Sequence, residues 1–324
     1  MESDARSFGP PGLARRKGTA RRRVIAVGGG KGGIGKTLVS VNLAVALAEL
    51  GQRVVLLDAD LGGANAHTCL GIAQPRATLS DFVTRKAARL EDVRLPTQVP
   101  NLTLIGGAND ALDAANLKFQ QKQRLLRNLN GLDADTVVLD LGAGTSFNVL
   151  DFFLVAQHAV LVLLPEPTSI ENAYRFIKSA FFRKLQDVES TLGVEELVEQ
   201  AMSSKEGAVR TPLEFIGRAR AIDPAAGARL ERELEAFRVR LVVNQVRGAP
   251  DADVGHAVVA AWRKFFGLHL DYLGAVSWDD DAWRAVRKRR PLLLESPTCT
   301  AALGLRQVAQ NLLALDAPLA PSSP

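Results

Sequence analysis

The sequence predicts an α/β fold, a mainly parallel sheet covered by helices on both faces. Two observations lead there. Short continuous apolar runs recur along the chain, the pattern of strands buried on both faces, and stretches with helical spacing of apolar residues separate most of them. Strands alternating with helices give parallel crossover units. A third observation narrows the class: a glycine-rich loop, GGGKGGIGKT at residues 28–37, sits between the first apolar run and the first helix.

Taken in order, the run Val24-Ile25-Ala26-Val27 gives the first strand and feeds the glycine loop. Residues 38–50 place Leu, Val and Ala at helical spacing, closed by Gly51 as a C-terminal cap. Strands follow at 53–58, 102–105, 136–140, 159–164, 239–243 and, less cleanly, 272–276. Helices are expected at 114–130, 145–156, 168–186, 251–266 and 299–315. Residues 187–236 interrupt the alternation, since one crossover helix needs far fewer residues. Charged, helix-favouring stretches flank a Ser-Ser-Lys-Glu-Gly loop there, which reads as a helical insertion on the same domain. The expected organisation is a disordered basic tail at 1–23, one domain at 24–315 and a second disordered tail at 316–324.

Composition excludes several classes. The chain has 324 residues, 47% of them apolar, enough for a sizeable core. No apolar stretch approaches the roughly 20 residues that span a bilayer. Two distant cysteines, Cys69 and Cys299, offer neither a disulfide framework nor a metal cage, and suit a reducing, cytoplasmic setting. The net charge of +5 resides wholly in residues 1–23, with seven basic and two acidic side chains; the remainder holds 33 of each. Such a tail is either a solubilising extension or a contact for an acidic partner, DNA or an anionic membrane.

The glycine loop contains two overlapping motifs. Gly28-x-Gly30-x-x-Gly33 matches the dinucleotide fingerprint, whereas Gly30-x-x-x-x-Gly35-Lys36-Thr37 matches the phosphate loop of nucleoside triphosphatases. A dinucleotide site has no use for Lys36-Thr37; a triphosphate site needs both. Backbone N–H groups across Gly32, Gly33, Ile34, Gly35, Lys36, Thr37 and Leu38 would hold the phosphates. Lys36 would reach the β/γ oxygens, and the Thr37 hydroxyl would bind Mg²⁺. Asp140 closes the run Thr-Val-Val-Leu-Asp, a position suited to a magnesium-holding acid. Asp58 and Asp60 follow the second strand, at the carboxyl edge where ligands of open α/β sheets collect. Asp58 alone could equally be a ribose-binding acid or a turn cap. Lys31 is required by neither motif.

KGGIGKT (31–37) resembles the deviant P-loop KGGxGKT of the MinD/ParA family of ATPases, the SIMIBI class. The resemblance continues through DADLGGAN (58–65), VVLDLGAG (137–144), LVVNQ (241–245) and VSWDDDAWRAVRKRRPLL (276–293), and covers about residues 23–315 apart from the insertion. FFLVAQHAVLVLLPEPTSIENAYRFIK (152–178) is most similar to the FlhG/FleN branch, regulators of flagellar number and placement. The resemblance implies slow, partner-stimulated ATP hydrolysis with Mg²⁺ in a nucleotide-sandwich homodimer. Lys31 would reach the nucleotide of the other monomer, Asp60 would position the attacking water, and Asp58, Asp140 and Thr37 would serve the metal. Asn244 would read the adenine edge, with the backbone around Ser277–Asp279 completing the pocket. Without the resemblance, Asn244 reads as a strand-end turn residue.

Three departures bear on partners. No Lys or Arg follows Arg306, so the last helix lacks the basic face that binds anionic lipid, which counts against membrane association through this end. The tail offers only Asp4-Ala5-Arg6 where FlhG proteins often carry a GTPase-activating DQAxxLR-type segment. Closely spaced cysteines of iron–sulfur relatives are missing, and His67-x-Cys69 is at most half a metal site. The cluster Arg284, Arg287, Lys288, Arg289 and Arg290 makes DNA a candidate partner, as for ParA partition proteins, or it is a solvated helix end. An unidentified protein partner or activator completes the expected set.

Overall fold

The computed structural model describes residues 22–107, 117–202, 209, 211–267 and 269–316. Residues 1–21 of the expected 1–23 tail, residues 317–324 of the expected 316–324 tail, the start of the 114–130 helix and the Ser-Ser-Lys-Glu-Gly loop lie outside them. Among the described residues the strands form an eight-stranded sheet. They are β1 (Arg23–Gly28), β2 (Val54–Ala59), β3 (Arg94–Pro96), β4 (Leu102–Ile105), β5 (Thr136–Leu141), β6 (His158–Leu163), β7 (Val239–Val246) and β8 (Leu270–Ser277). Their order is β3-β4-β2-β5-β1-β6-β7-β8, and every pairing is parallel except β3 with β4. From β1 the chain crosses to β2 on one side of the sheet, and from β5 it crosses to β6 on the other. The carboxyl end of β1 therefore lies where crossovers diverge, the usual ligand position in open α/β sheets.

The helices are α1 (Lys36–Glu49), α2 (Ala66–Cys69), α3 (Leu79–Val83), α4 (Phe119–Leu129), α5 (Phe147–Val155) and α6 (Pro167–Leu192). They continue with α7 (Glu195–Met202), α8 (Pro212–Ile222), α9 (Pro224–Glu235), α10 (Ala249–Phe266), α11 (Asp280–Arg287), α12 (Leu292–Glu295) and α13 (Thr300–Ala314). Side chains alternate across each strand, so β1 feeds two cores. Ile25 and Val27 pack with α1 and α13 on one face, whereas Val24 and Ala26 pack with α5 and α6 on the other.

Helix α6 runs 26 residues, starting with Pro167 in its first turn and ending at Gly193 with φ 64°. Those are the residues that start and stop helices for steric reasons. At its far end α7, α8 and α9 bury Leu197, Phe215, Leu230 and Leu234 in the same cluster as the sheet face, with Phe181 of α6 edge-on to Phe215. The helices between β6 and β7 thus thicken one layer without a core of their own.

The two ends of the described chain meet at the amino edge of the sheet. Arg22, placed with the tail by composition, donates to the carbonyl of Ala134 at 3.0 Å, and Arg23 opens β1. The Arg23 guanidinium donates to Asp316 at 2.6 Å, just beyond α13. His158 lies 3.1 Å from the same carboxylate.

Candidate nucleotide-binding site

The glycine loop joins β1 to α1 at the carboxyl edge of the sheet, and close packing fixes its path. Gly33 and Gly35 have φ of 79° and 86°, left-handed values that cost glycine nothing. Gly30 lies so near α6 that a Cβ would overlap the Asn172 carbonyl, and at Gly35 one would overlap the Asn244 amide nitrogen. That amide donates to the Ile34 carbonyl at 2.9 Å, tying the end of β7 to the loop. Gly30→Ala therefore pits a methyl group against backbone that cannot step aside. We expect destabilisation of about 1–3 kcal/mol, the usual cost of overpacking, and weakened triphosphate binding. Thermal melts with and without Mg·ATP check this; wild-type behaviour in both would refute the packing argument.

Lys36 is buried, and its ammonium donates to the Lys31 carbonyl at 3.2 Å. Burial lowers its pKa, against the attraction of Asp140 and Asp60. The Lys31 side chain is exposed at the loop tip beside Gly32 and Gly33, whereas Thr37 and Leu38 are half-buried in the first turn of α1.

Asp58 and Asp140 occupy paired positions on the adjacent strands β2 and β5. Asp58 accepts from the Ala66 N–H at 2.9 Å and the Asp60 N–H at 3.2 Å. Burial, reinforced by the charge of Asp140, pushes its pKa up to about 8. Asp140 accepts from the Ser40 hydroxyl at 2.8 Å through one oxygen; the other is buried with no hydrogen-bond partner among the described residues. Burial pushes Asp140 up to about 6, against the pull of Thr37, Ser40 and Lys36. Buried polar atoms are seldom left unsatisfied. An unsatisfied carboxylate oxygen near the Thr37 hydroxyl is a hard, oxygen-only donor set, so these residues fit Mg²⁺. Asp60 stands at the rim, accepting from the Gly62 N–H at 3.3 Å, and a Cβ on Gly142 would lie 3.0 Å from its carboxylate.

The fold thus gathers Lys36, Thr37, Asp58, Asp60 and Asp140, with Asn244 against the loop and Lys31 outside the cluster. Ser277 ends β8, beside β7, and Asp279 caps α11 by accepting from the Asp281 N–H at 3.0 Å and the Thr300 hydroxyl at 3.0 Å. Sequence reasoning missed Ser40 and Asn42. Ser40 links the Lys36 carbonyl to Asp140, and Asn42 accepts from the Leu293 N–H at 3.1 Å. Their signal was a polar residue in a helix otherwise buried and apolar.

Residues 20–209 match the family model described as ParA: NUBPL iron-transfer P-loop NTPase. The chain is 30% identical over 292 residues to the antiactivator FleN of Pseudomonas aeruginosa, spanning 89% of this chain and 85% of that one. It belongs to the ParA/MinD family of P-loop ATPases. The septum site-determining protein MinD of Synechocystis is 38% identical over 161 residues, 48% of this chain and 58% of that one. In fold, this ParA/MinD protein resembles the septum site-determining protein MinD of Pyrococcus horikoshii, solved as a complex with Mg-ADP. The TM-score is 0.63 at 21% identity, over 91% of this chain and 98% of that one.

Two candidate sites outside the nucleotide cluster are engaged in local structure. In the basic cluster, Arg284 pairs with Asp281 at 2.8 Å, Lys288 and Arg290 both pair with Glu295, and Arg287 lies over the Trp283 ring. Cys299 accepts from the Ala302 N–H at 3.4 Å as a helix cap, and burial raises the Cys69 thiol to about 11, away from the thiolate that binds metals. Asp279, Asp281 and Cys299 have ligand atoms within 4.8 Å of one another, but the two aspartates and the cysteine already hold hydrogen bonds or ion pairs. Among the described residues no helix is long and apolar enough to cross a membrane.

Proposed function

We propose that this ATPase is a dimerising, ATP-dependent switch that sets the number or placement of a cellular structure. One observation carries the nucleotide chemistry: Asp140, with one buried oxygen that has no partner among the described residues, lies beside Thr37 and Ser40 of the helix that the P-loop and its buried lysine open. Similarity to FleN along most of both chains, and to MinD, supports the switching role.

Magnesium, when bound, offsets negative charge on the phosphates; Thr37 and Asp140 are the residues to hold it, with Asp58 behind them. Loop N–H groups from Gly32 to Leu38 bind phosphate oxygens, and Lys36 leaves the Lys31 carbonyl for the β/γ oxygens. Asp60 accepts a hydrogen bond from the attacking water and orients it. Asn244 and the strand end at Ser277–Asp279 border the adenine. Lys31, exposed at the loop tip, acts on the nucleotide of a second copy, so that a complete charge set around the γ-phosphate forms only in the dimer. Hydrolysis removes the group that both copies hold. The reaction is slow until a protein partner stimulates it, in the cytoplasm or at a surface the protein joins peripherally. With three of the five clustered cations paired to carboxylates, duplex DNA is the less favoured surface.

The two lysines separate these steps. Lys31→Ala is expected to bind ATP yet stay monomeric and inactive, and Asp60→Ala to accumulate as an ATP-bound dimer. Light scattering with and without Mg·ATP reads both results. A Lys31→Ala protein that dimerises and turns over normally, or a monomeric Asp60→Ala at saturating ATP, would remove the sandwich mechanism and leave the fold untouched.

A further inference from the structure

On the sheet face that carries α5 and α6, three charged side chains meet inside the helical layer. Asp151 of α5 and Lys122 of α4 are each 6% exposed, and the lysine ammonium donates to the aspartate. The Arg183 guanidinium of α6 adds two bonds, Nε to Oδ1 at 2.7 Å and Nη2 to Oδ2 at 3.3 Å. One carboxylate thereby joins three helices. Asp187 lies one turn beyond Arg183, where burial raises its pKa against the pull of that guanidinium.

Such a cluster is a poor device for stability alone. Desolvating the charges costs about what their attraction returns, and apolar side chains of similar volume often serve as well. What a two-point contact between guanidinium and carboxylate adds is direction. The rest of the buried face of α5 is Val149, Leu150, Phe152 and Phe153, whose apolar contacts are non-directional.

Direction matters at α5 because of what precedes it. Gly142 to Ser146 alone separate β5 from α5, and Ser146 caps the helix by accepting from the Val149 N–H at 3.5 Å. At the other end of that loop Gly142 touches Asp60, since a Cβ there would lie 3.0 Å from the carboxylate. Phe147, the first residue of α5, is 70% exposed, with the Arg183 guanidinium 5.5 Å from its ring centroid. Arg183 therefore meets α5 at two points one turn apart.

We propose that Asp151 is a positioning residue for ATP hydrolysis. Held by Lys122 and Arg183, it fixes α5 and with it the five-residue loop that backs the Asp60 carboxylate. The proposal rests on the reading of Asp60 as the group that orients the attacking water.

Turnover and ATP affinity, both measured on the full chain, separate positioning from mere support. Asp151→Asn keeps the shape but sets an amide N–H against the two cations. Its basal turnover is expected to fall about tenfold, with ATP affinity by calorimetry within about twofold of wild type. It should also melt at a lower temperature, because Lys122 and Arg183 lose their partner. The triple variant Lys122→Met, Asp151→Leu, Arg183→Met removes the charges together. It should recover the melting temperature and keep the deficit in turnover. Wild-type turnover in the triple variant would reduce the cluster to support and overturn the proposal. Unchanged turnover in Asp151→Asn, or a loss of affinity matching the loss of turnover in both variants, would overturn it too. Asp60→Ala protein that hydrolyses ATP at the wild-type rate would instead overturn the water-orienting reading beneath it.

Discussion

Replacing Lys36 with alanine is expected to reduce Mg·ATP affinity by at least about 100-fold, because a buried, hydrogen-bonded charge facing an anionic ligand typically accounts for several kcal/mol. The ammonium is partly desolvated and rests on the Lys31 carbonyl, with Asp140 and Asp60 as electrostatic partners. Alanine there removes a buried charge and one weak backbone contact, so the fold should survive. Lys31 cannot substitute, since its side chain is exposed at the loop tip. Calorimetry of the two single variants separates them: loss of binding in Lys36→Ala with retention in Lys31→Ala is the expected pair. Tight ATP binding by Lys36→Ala would contradict the assignment of the phosphate-binding loop.

The second large effect concerns stability, and its sign is opposite. Asp58 and Asp140 both have pKa values raised above the ordinary carboxylate range, to about 8 and about 6. A group that holds its proton more tightly when folded adds stability that is fully present below its unfolded pKa and lost as pH rises through its folded pKa. The ligand-free protein should therefore lose stability between about pH 4 and pH 8 from this pair. Asp140→Asn keeps an oxygen for the Ser40 hydroxyl and deletes the like charge beside Asp58. The upward shift of Asp140 persists even with Lys36 nearby, so its ionised form is a net cost to the fold. We expect the variant to melt about 3 °C or more above wild type at pH 8, with the difference shrinking as the pH falls and vanishing only below about pH 4. The same variant should lose most of the extra stability that Mg·ATP confers on wild type. A melting temperature at or below wild type at pH 8 would contradict the charge argument. Strain held at a functional site in this way is a common trade between stability and activity.

Much of this arrangement is legible in the sequence. The long apolar runs and the P-loop gave the parallel strands and the cluster of Lys36, Thr37, Asp58, Asp60 and Asp140, because both signals are local. What escaped was short or non-local. β3 has three residues and pairs antiparallel at the edge, too few for an alternation to register. α11 was legible only as one of two readings of the 284–290 cluster, a solvated helix end, because charged residues fill it and its single buried residue is Ala285. Helix α6 continues beyond the expected end at 186 to Leu192, where Gly193 stops it. That Asp58 stands opposite Asp140 follows from the β2–β5 register, and that Asn244 grips the Ile34 carbonyl follows from a contact across 210 positions. Spacing along the chain carries neither fact.

The Arg23–Asp316 ion pair has a practical corollary. β1 rises from Arg23 towards the glycine loop, so its six residues put the pair roughly 20 Å from the phosphate-binding loop, at the opposite rim of the sheet. The first strand and the last helix could therefore be joined by a short glycine–serine bridge and the chain reopened elsewhere. Such a circular permutant should keep its nucleotide loop intact. It would also leave the carboxyl rim unencumbered for a fluorescent reporter to be grafted on the far side.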